Sequence, residues 1–196
     1  MNVEIRKLTP ELAEDYVHFF DVTPYNDYYA GNDEVPCYCV KWRNDDTYDG
    51  VGHWFPTREE RRERALQYVR DGKLQGYLAY RGGEAVGWCN ATADCQGGVN
   101  HMRIYYPIEE YREDVKVKSI FCFMVAPEVQ RMGVATQLVE HICRNAAAEG
   151  FDFVEAYPNK KYTVLDCRGP LALYKKCGFS ICAKRRGKIV VRKALQ

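Results

Sequence analysis

The feature that most constrains the fold is a strand, helix and strand pattern spanning about forty residues in the C-terminal half. Residues 115–125 alternate and then become continuously apolar, which is typical of a strand buried on both faces of a sheet. Residues 136–148 carry apolar side chains at helical spacing, and Gly150 ends that predicted helix. Because a strand is predicted at residues 151–157, the pattern forms a βαβ unit with two parallel strands.

The rest of the chain extends this unit into a larger α/β sheet. Thr57 begins a near capping box, and Gly82 and Gly83 lie between two alternating segments as a hairpin turn. The other predicted elements are strands at 3–8, 75–80, 85–90, 179–183 and 188–195, and helices at 10–20, 57–71 and 170–176. We expect one domain over residues 1–196, with residues 21–56 as a lid or insertion on the substrate side.

Composition and charge exclude several classes of function. A hydrophobic fraction of 46% is too high for a disordered chain, and a formal charge of +1 leaves no basic stripe for nucleic acid. The N-terminus has no apolar leader, and no window approaches the roughly 18 apolar residues of a membrane span. The sequence therefore predicts a cytoplasmic protein that binds neither nucleic acid nor membrane, and leaves open whether it forms a homodimer.

Nine cysteines are present, and their odd number without a secretion signal favours reduced thiols. Cys122 and Cys143 lie in apolar segments, where cysteine acts as a small hydrophobic residue. Cys37 and Cys39 form a C-x-C pair, but one distant histidine, His53, does not complete any usual zinc spacing. No metal site is predicted, and the role of the C-x-C pair is left open.

The connection between the buried strand and its helix has the character of a phosphate-binding loop. The first-turn amides of a helix lack intrahelical acceptors and lie at the positive end of its dipole. Gly133 allows the backbone to approach an anion closely, Ala135 keeps the next turn slim, and Gln130 or Arg131 adds side-chain contacts. The loop is neither G-x-G-x-x-G nor a Walker A sequence, so dinucleotide and ATP sites lack their usual motifs.

Three segments resemble the GNAT superfamily of acyl-CoA-dependent N-acyltransferases. Residues 130–135 (QRMGVA) match its pyrophosphate loop, Q/R-x-x-G-x-G/A, and follow residues 123–128 (FMVAPE), which are similar to its strand ending in V-x-P-E. Residues 173–179 (LYKKCGF) resemble its L-Y-E-K-x-G-F motif. The resemblance implies a mixed, mostly antiparallel sheet with a central, splayed parallel strand pair flanked by helices, and it implies acetyl-CoA as co-substrate.

The resemblance also implies which residues hold acetyl-CoA. In the family the central strand bulges and offers backbone amides to the thioester. In this sequence the corresponding amides lie near Phe123 and Val125. Asn159 is the candidate for the family's asparagine contact, but it stands much farther from the Tyr174 motif than that asparagine usually does, because residues 160–168 are inserted between them. The implied cofactor-binding residues are Phe123, Met124, Val125, Gln130, Arg131, Met132, Gly133, Val134, Ala135, Thr136 and Asn159.

Two side chains are the catalytic candidates. Tyr174 occupies the family's position for the general acid, and a phenol with a pKa near ~10 suits protonation of a leaving thiolate; the alternative is that Tyr174 only packs. The family's glutamate base falls on Ser119, which cannot act as a base unaided. Glu155, in a predicted central strand where burial raises a carboxyl pKa, is the candidate base, and an inert, salt-bridged Glu155 is the alternative. His53 is a further titratable candidate.

The acceptor site is predicted within residues 21–56, where aromatic and acidic residues alternate. Aromatic rings and carboxylates together suit the binding of a small cationic amine. The alternative is an acidic loop in which a few of the aromatic residues belong to the core. The aromatic members are Tyr25, Tyr28, Tyr29, Tyr38, Trp42, Trp54 and Phe55, and the acidic members are Asp27, Asp33, Glu34, Asp45, Asp46 and Asp49. We expect direct attack of the amine on the thioester, rather than an acyl-cysteine at Cys122 or Cys177. A non-catalytic acyl-CoA sensor is the alternative function.

Overall fold

A computed structural model describes residues 1–23, 36–40, 55, 57–93, 115–159, 167–185 and 188–195. Most of the predicted lid, including His53, lies outside these ranges. The strands and helices named below lie within them.

Within the described residues, seven strands form one sheet in the order β1-β2-β3-β4-β5-β7-β6. The β4 and β5 strands are parallel, whereas all other neighbouring pairs are antiparallel. The predicted α/β fold, mostly antiparallel around one parallel pair, is therefore confirmed. The strands are β1 Glu4–Lys7, β2 Gly76–Arg81, β3 Glu84–Thr92, β4 Val117–Val125, β5 Phe153–Ala156, β6 Ser180–Arg185 and β7 Lys188–Ala194.

The helices are α1 Ala13–Val22, α2 Arg58–Arg70, α3 Val134–Ala148 and α4 Leu171–Lys176, and 3-10 turns occupy Pro10–Leu12 and Pro127–Val129. The capping box at Thr57 is confirmed, because its hydroxyl accepts from the Glu60 amide and the Glu60 side chain accepts from the Thr57 amide. The predicted start at Pro10 is confirmed as a 3-10 turn with Thr9 at the N-cap position, although no side chain caps it. One predicted helix start was wrong: α3 begins at Val134 rather than Thr136, because Gly133 supplies the left-handed N-cap.

The helices lie on both faces of the sheet, as adjacent residues of β3 demonstrate. The Trp88 ring contacts Tyr16 of α1 at a centroid distance of 4.7 Å. A Cβ at the neighbouring Gly87 would lie 3.1 Å from Val134 of α3. Since successive strand residues point to opposite faces, α1 and α3 cover opposite faces, and Gly87 allows α3 to approach the sheet closely.

The central strand β4 is irregular at the point where it leaves β5. Ile120 pairs with Ala91 and Cys122 with Asn90, so Phe121 is an extra residue opposite β3, as in a β-bulge. The parallel pairing with β5 ends at Ile120, opposite Ala156, whereas β4 continues to Val125. An opening therefore separates the second half of β4 from the chain that follows β5.

Candidate active site

The N-terminus of α3 follows β4 after a short connection, and the second half of β4 pairs only with β3. The Gln130 side chain donates to the Val125 carbonyl at 3.0 Å, which fixes the start of the connecting turn. Arg131 and Gly133 have φ of +61° and +89°, in the left-handed region. These two residues make the sharp turn from which α3 begins.

The first turn of α3 differs from the first turns of α1 and α2. Acidic side chains occupy the first turns of α1 and α2, whereas α3 has neither an acidic residue there nor a side-chain cap. The amides of Val134, Ala135 and Thr136 consequently have no intrahelical acceptor and no acidic neighbour in their own turn. Met132 is 49% exposed beside them. This arrangement suits a phosphate anion and fits the pyrophosphate of coenzyme A.

Tyr174 and Phe123, which the sequence places fifty residues apart, are brought together at the opening of β4. Their ring centroids are 6.3 Å apart, and Phe179 lies 5.4 Å from Tyr174 on another side. Tyr174 is completely buried. The structure thus places Tyr174, the predicted general acid, beside Phe123, whose amide is a predicted donor.

Both of these donors bond to the segment formed by residues 167–169. The Phe123 amide donates to the Cys167 carbonyl at 2.5 Å, and the Tyr174 hydroxyl donates to the Arg168 carbonyl at 2.6 Å. A Cβ at Gly169 would lie 3.5 Å from both the Phe123 ring and the Tyr174 hydroxyl. The segment therefore accepts from both of the donors that the resemblance assigns to acetyl-CoA.

A buried polar network lies at the beginning of the splay. The Ser119 hydroxyl is 3.0 Å from the Tyr157 hydroxyl, which donates to Glu155 at 3.0 Å. The Arg192 Nε donates to the other Glu155 oxygen at 2.6 Å, and the two side chains also form an ion pair. Glu155 is buried as predicted, and its pairing with Arg192 is the salt-bridged alternative. Phe121 stacks on the Tyr157 ring at 5.4 Å.

Sequence reasoning missed Tyr157 and Arg192 as members of this network. Tyr157 is two residues from Glu155, on the same side of the strand, so the alternation of β5 carried a signal for it. Arg192 pairs with Glu155 through the register of β5 with β7, which no local pattern contains.

Cysteine thiols from three segments meet beside β4. The Trp88 indole N–H donates to the Cys39 sulfur at 3.2 Å. Hydrogen bonds from the Cys122 and Cys37 thiols and from Trp88 hold the pKa of Cys39 well below its ordinary value. Hydrogen bonds with the Cys167 and Cys39 thiols, together with burial, raise the pKa of Cys122.

The same described residues contain no group of three or more His, Cys, Asp or Glu side chains arranged to hold a metal ion. In the part of the chain with described coordinates, no helix combines the length and the apolar character that crossing a membrane requires.

A few of the remaining predicted site residues lie within the described ranges. Tyr38 is completely buried, with its hydroxyl donating to Asp21 at 2.5 Å and its ring 5.5 Å from Phe20. It is therefore a core residue beside α1. Phe55 is half-buried, and the Arg64 guanidinium lies 5.0 Å from its ring centroid. Asn159 is half-buried just after β5, and the other aromatic and acidic members of the predicted acceptor site lie outside the described residues.

Comparison with known proteins shows the family to which this chain belongs. The model of the acetyltransferase (GNAT) family matches residues 6–179. No curated protein matches the chain significantly.

Solved structures share the fold at low sequence identity. PaiA N-acetyltransferase from Thermoplasma acidophilum, in complex with coenzyme A, is 14% identical, with a TM-score of 0.58 over 99% of both chains. A GNAT-family acetyltransferase from Listeria monocytogenes is 12% identical, with a TM-score of 0.61 over 98% of this chain and 95% of that one. A GNAT-family acetyltransferase from Streptococcus pneumoniae is 20% identical, with a TM-score of 0.56 over 100% of both chains. Sheet topology, loop and family match agree, and the chain therefore belongs to the acetyltransferase (GNAT) family as an acetyl-CoA-dependent N-acetyltransferase.

Proposed function

We propose that this enzyme transfers the acetyl group of acetyl-CoA to a primary amine of a small, cationic acceptor by direct attack. The observation that carries the proposal is the splay of β4 from β5, with the Phe123 amide and the Tyr174 hydroxyl directed at one place beside the N-terminus of α3. Acetyl-CoA, when bound, supplies an activated thioester, and the residues below bind it and handle the charges that develop.

The pyrophosphate is proposed to lie at the first turn of α3. The Val134, Ala135 and Thr136 amides donate to it, and the positive end of the helix dipole favours its charge. Gly133 presents no side chain towards it; a Cβ there would meet only the Gln137 amide at 3.9 Å, so the space in front of this turn is open. Arg131, exposed beside the turn, adds a positive charge.

The end of β4 is proposed to hold the pantetheine arm and the thioester. Beyond Ile120 the edge of β4 facing β5 has no strand partner, so its backbone groups can serve a ligand. The Phe123 amide, released from the Cys167 carbonyl, would donate to the thioester oxygen, and Met124 and Val125 would line the arm. Donors fixed by a strand stabilise the oxyanion without reorganising during the reaction.

Tyr174 is proposed to protonate the departing thiolate. Its hydroxyl donates to the Arg168 carbonyl, which supports a role as a proton donor at this place. As the amine nitrogen bonds to the acetyl carbon, the carbon–sulfur bond breaks and the sulfur takes the phenolic proton; the tyrosinate is then reprotonated by solvent. Such general-acid catalysis is typically worth about 100-fold or more in rate.

Glu155 is proposed to act as the base through Tyr157 and Ser119. The carboxylate accepts from the Tyr157 hydroxyl, which in turn contacts the Ser119 hydroxyl at the family's glutamate position. The amine proton would pass along the Ser119 and Tyr157 hydroxyls to the Glu155 carboxylate, which does not itself contact the acceptor. Arg192 keeps that carboxylate oriented, and direct deprotonation by water is the competing route.

An amine panel tests the function. Free thiol released from acetyl-CoA is followed with polyamines, aminoglycosides, amino acids and N-terminal peptides. We expect rates with small cationic amines well above acceptor-free hydrolysis, and Gly133→Glu should abolish them. Thiol release at the hydrolysis rate with every amine would favour the acyl-CoA sensor, and peptides as the sole acceptors would refute the small-acceptor part.

A further inference from the structure

Asn90 is a buried amide in the middle of the sheet. It lies on β3 between Cys89 and Ala91, which are buried as well, and it is only 3% exposed. Its side-chain oxygen has no hydrogen-bond partner among the described residues. A buried oxygen of this kind has lost its hydration without gaining a donor, which destabilises the fold. It is therefore a candidate for a site at which a bound molecule supplies the donor.

Asn90 shares one face of the sheet with the polar network at Ser119. Trp88 and Thr92, two residues to either side of Asn90 on β3, point to the same face, and the Trp88 ring contacts α1 there. Ser119 pairs with Thr92, and Glu155 pairs with Ser119. Since paired residues share a face, the α1 face of β3, β4 and β5 carries these buried polar side chains together.

We propose that Asn90 binds the acceptor: its side-chain oxygen accepts one N–H of a primary amine whose other N–H is donated to the Ser119 hydroxyl. This rests on the function proposed above and adds the group that selects primary amines. When the nitrogen bonds to the acetyl carbon, it loses the proton directed at Ser119 and keeps the one directed at Asn90 in the product amide. A secondary amine has one N–H and cannot serve both oxygens.

The register places Asn90 close to the reacting groups. It pairs with Cys122, the residue before Phe123, whose amide is the proposed donor to the thioester oxygen. Asn90 is also two residues from the partner of Ser119, and such diagonal neighbours lie about 7–8 Å apart. A nitrogen that donates to two oxygens at about 2.9 Å joins oxygens about 5 Å apart. Because both side chains extend beyond their Cα atoms, one nitrogen can reach both.

A neutral amide suits this position better than a carboxylate would. A carboxylate beside the amine would stabilise the ammonium form and raise the pKa of the amine, whereas only the free amine can attack. The Asn90 oxygen orients the nitrogen without retaining its charge. Because Asn90 is buried, its hydrogen bond to the amine forms in a medium of low dielectric, where it is stronger than in water.

The test compares a primary amine, the best acceptor from the amine panel, with its N-methyl derivative. We expect the parent to prefer the primary amine by at least about 10-fold in kcat/KM, because a site that hydrogen-bonds an N–H rejects the analogue that lacks it. Asn90→Leu replaces the amide with a hydrocarbon of similar size. It should lower this preference at least about fivefold and leave KM for acetyl-CoA unchanged.

Stability separates this role from a structural one. The urea midpoint of Asn90→Leu should not fall, because the substitution removes an unpaired polar atom from the core. Asn90→Ala gives the same comparison of amines should Asn90→Leu fold poorly. The matched control is Tyr77→Phe, which removes a buried polar atom from the opposite face of the sheet, beside His141 of α3. Tyr77→Phe should keep the parent's preference.

Two results would overturn the assignment of Asn90 and leave the proposed function standing. One is a parent that acetylates both amines within about threefold, and the other is an Asn90 variant that keeps the parent's preference. A lower urea midpoint together with an unchanged preference would identify a water molecule, rather than the acceptor, as the partner of Asn90. If the parent acetylates no amine at all, the proposed function fails and this inference fails with it.

Discussion

Gly133→Glu separates cofactor binding from stability, because the chain offers a matched control at the other end of α3. Gly133 and Gly150 have φ of +89° and +76°. A Cβ at Gly133 would meet only Gln137, at 3.9 Å, and one at Gly150 would meet nothing within 4 Å. Neither substitution therefore causes a clash, and each costs about 1–2 kcal/mol of backbone strain.

The two variants differ in where the new carboxylate lies. At Gly133 it faces the first amides of α3, where it repels a phosphate charge at about 4 Å by roughly 1–4 kcal/mol, depending on the local dielectric. A tenfold change in affinity corresponds to about 1.4 kcal/mol. We expect Gly133→Glu to weaken acetyl-CoA binding by at least about 30-fold with two phosphate groups present, and Gly150→Glu to leave it unchanged.

Isothermal calorimetry with acetyl-CoA measures both variants, and urea unfolding checks that their stabilities fall by similar amounts. If Gly133→Glu binds acetyl-CoA within about twofold of the parent, the α3 N-terminus does not hold the pyrophosphate. The reasoning from loop to cofactor would then be refuted.

Two further predictions concern buried ionisable groups. Arg192→Met leaves the Glu155 carboxylate buried without its cation, so the free energy of unfolding measured by urea titration should fall by about 3–5 kcal/mol. Adding Glu155→Gln to this variant should restore much of the lost stability. A loss below about 1 kcal/mol in Arg192→Met alone would contradict a buried ion pair. Burial raises the pKa of Tyr38 to about 12 and that of Tyr77 to about 12, above about 10 for an unfolded tyrosine. The stability they supply is therefore complete below pH ~10 and lost as pH rises towards ~12. A thermal unfolding temperature that stays constant across this pH range would contradict the raised pKa values of the two tyrosines.

The sequence was sufficient to predict the sheet because its signals are local. The apolar run ending at Val125 identified the central strand, and the capping box at Thr57 and the glycine turn of the hairpin identified the neighbouring elements correctly. The start of α3 was predicted two residues late, because a left-handed glycine cap leaves no mark in the hydrophobic periodicity. Gly133 carried that signal, but it was assigned only to the phosphate.

The arrangement of the site could not be predicted in the same way, because it depends on register between distant strands. The bulge at Phe121 exists only relative to β3, and Arg192 reaches Glu155 through the pairing of β5 with β7. The bond from the Phe123 amide to the Cys167 carbonyl depends on how the chain returns after the insert. Such contacts require tertiary packing, which neither propensity nor spacing encodes.

The central claim is that the opening of β4 is a catalytic site with Tyr174 as its acid, and Tyr174→Phe tests it. The substitution removes one hydroxyl and keeps the ring packed against Phe123 and Phe179. It also removes the bond to Arg168, which alone should not slow chemistry. Tyr80→Phe is the matched control, because Tyr80 is a buried tyrosine on β2 whose hydroxyl donates to Asp15 at 2.7 Å.

The measurement is steady-state thiol release with the best acceptor from the amine panel, under conditions in which chemistry limits the rate. We expect kcat of Tyr174→Phe to fall by about 100-fold or more, with KM for acetyl-CoA nearly unchanged. Tyr80→Phe should retain the parent's kcat. If Tyr174→Phe keeps a kcat within a few-fold of the parent, Tyr174 only packs in the site, and solvent protonates the leaving thiolate.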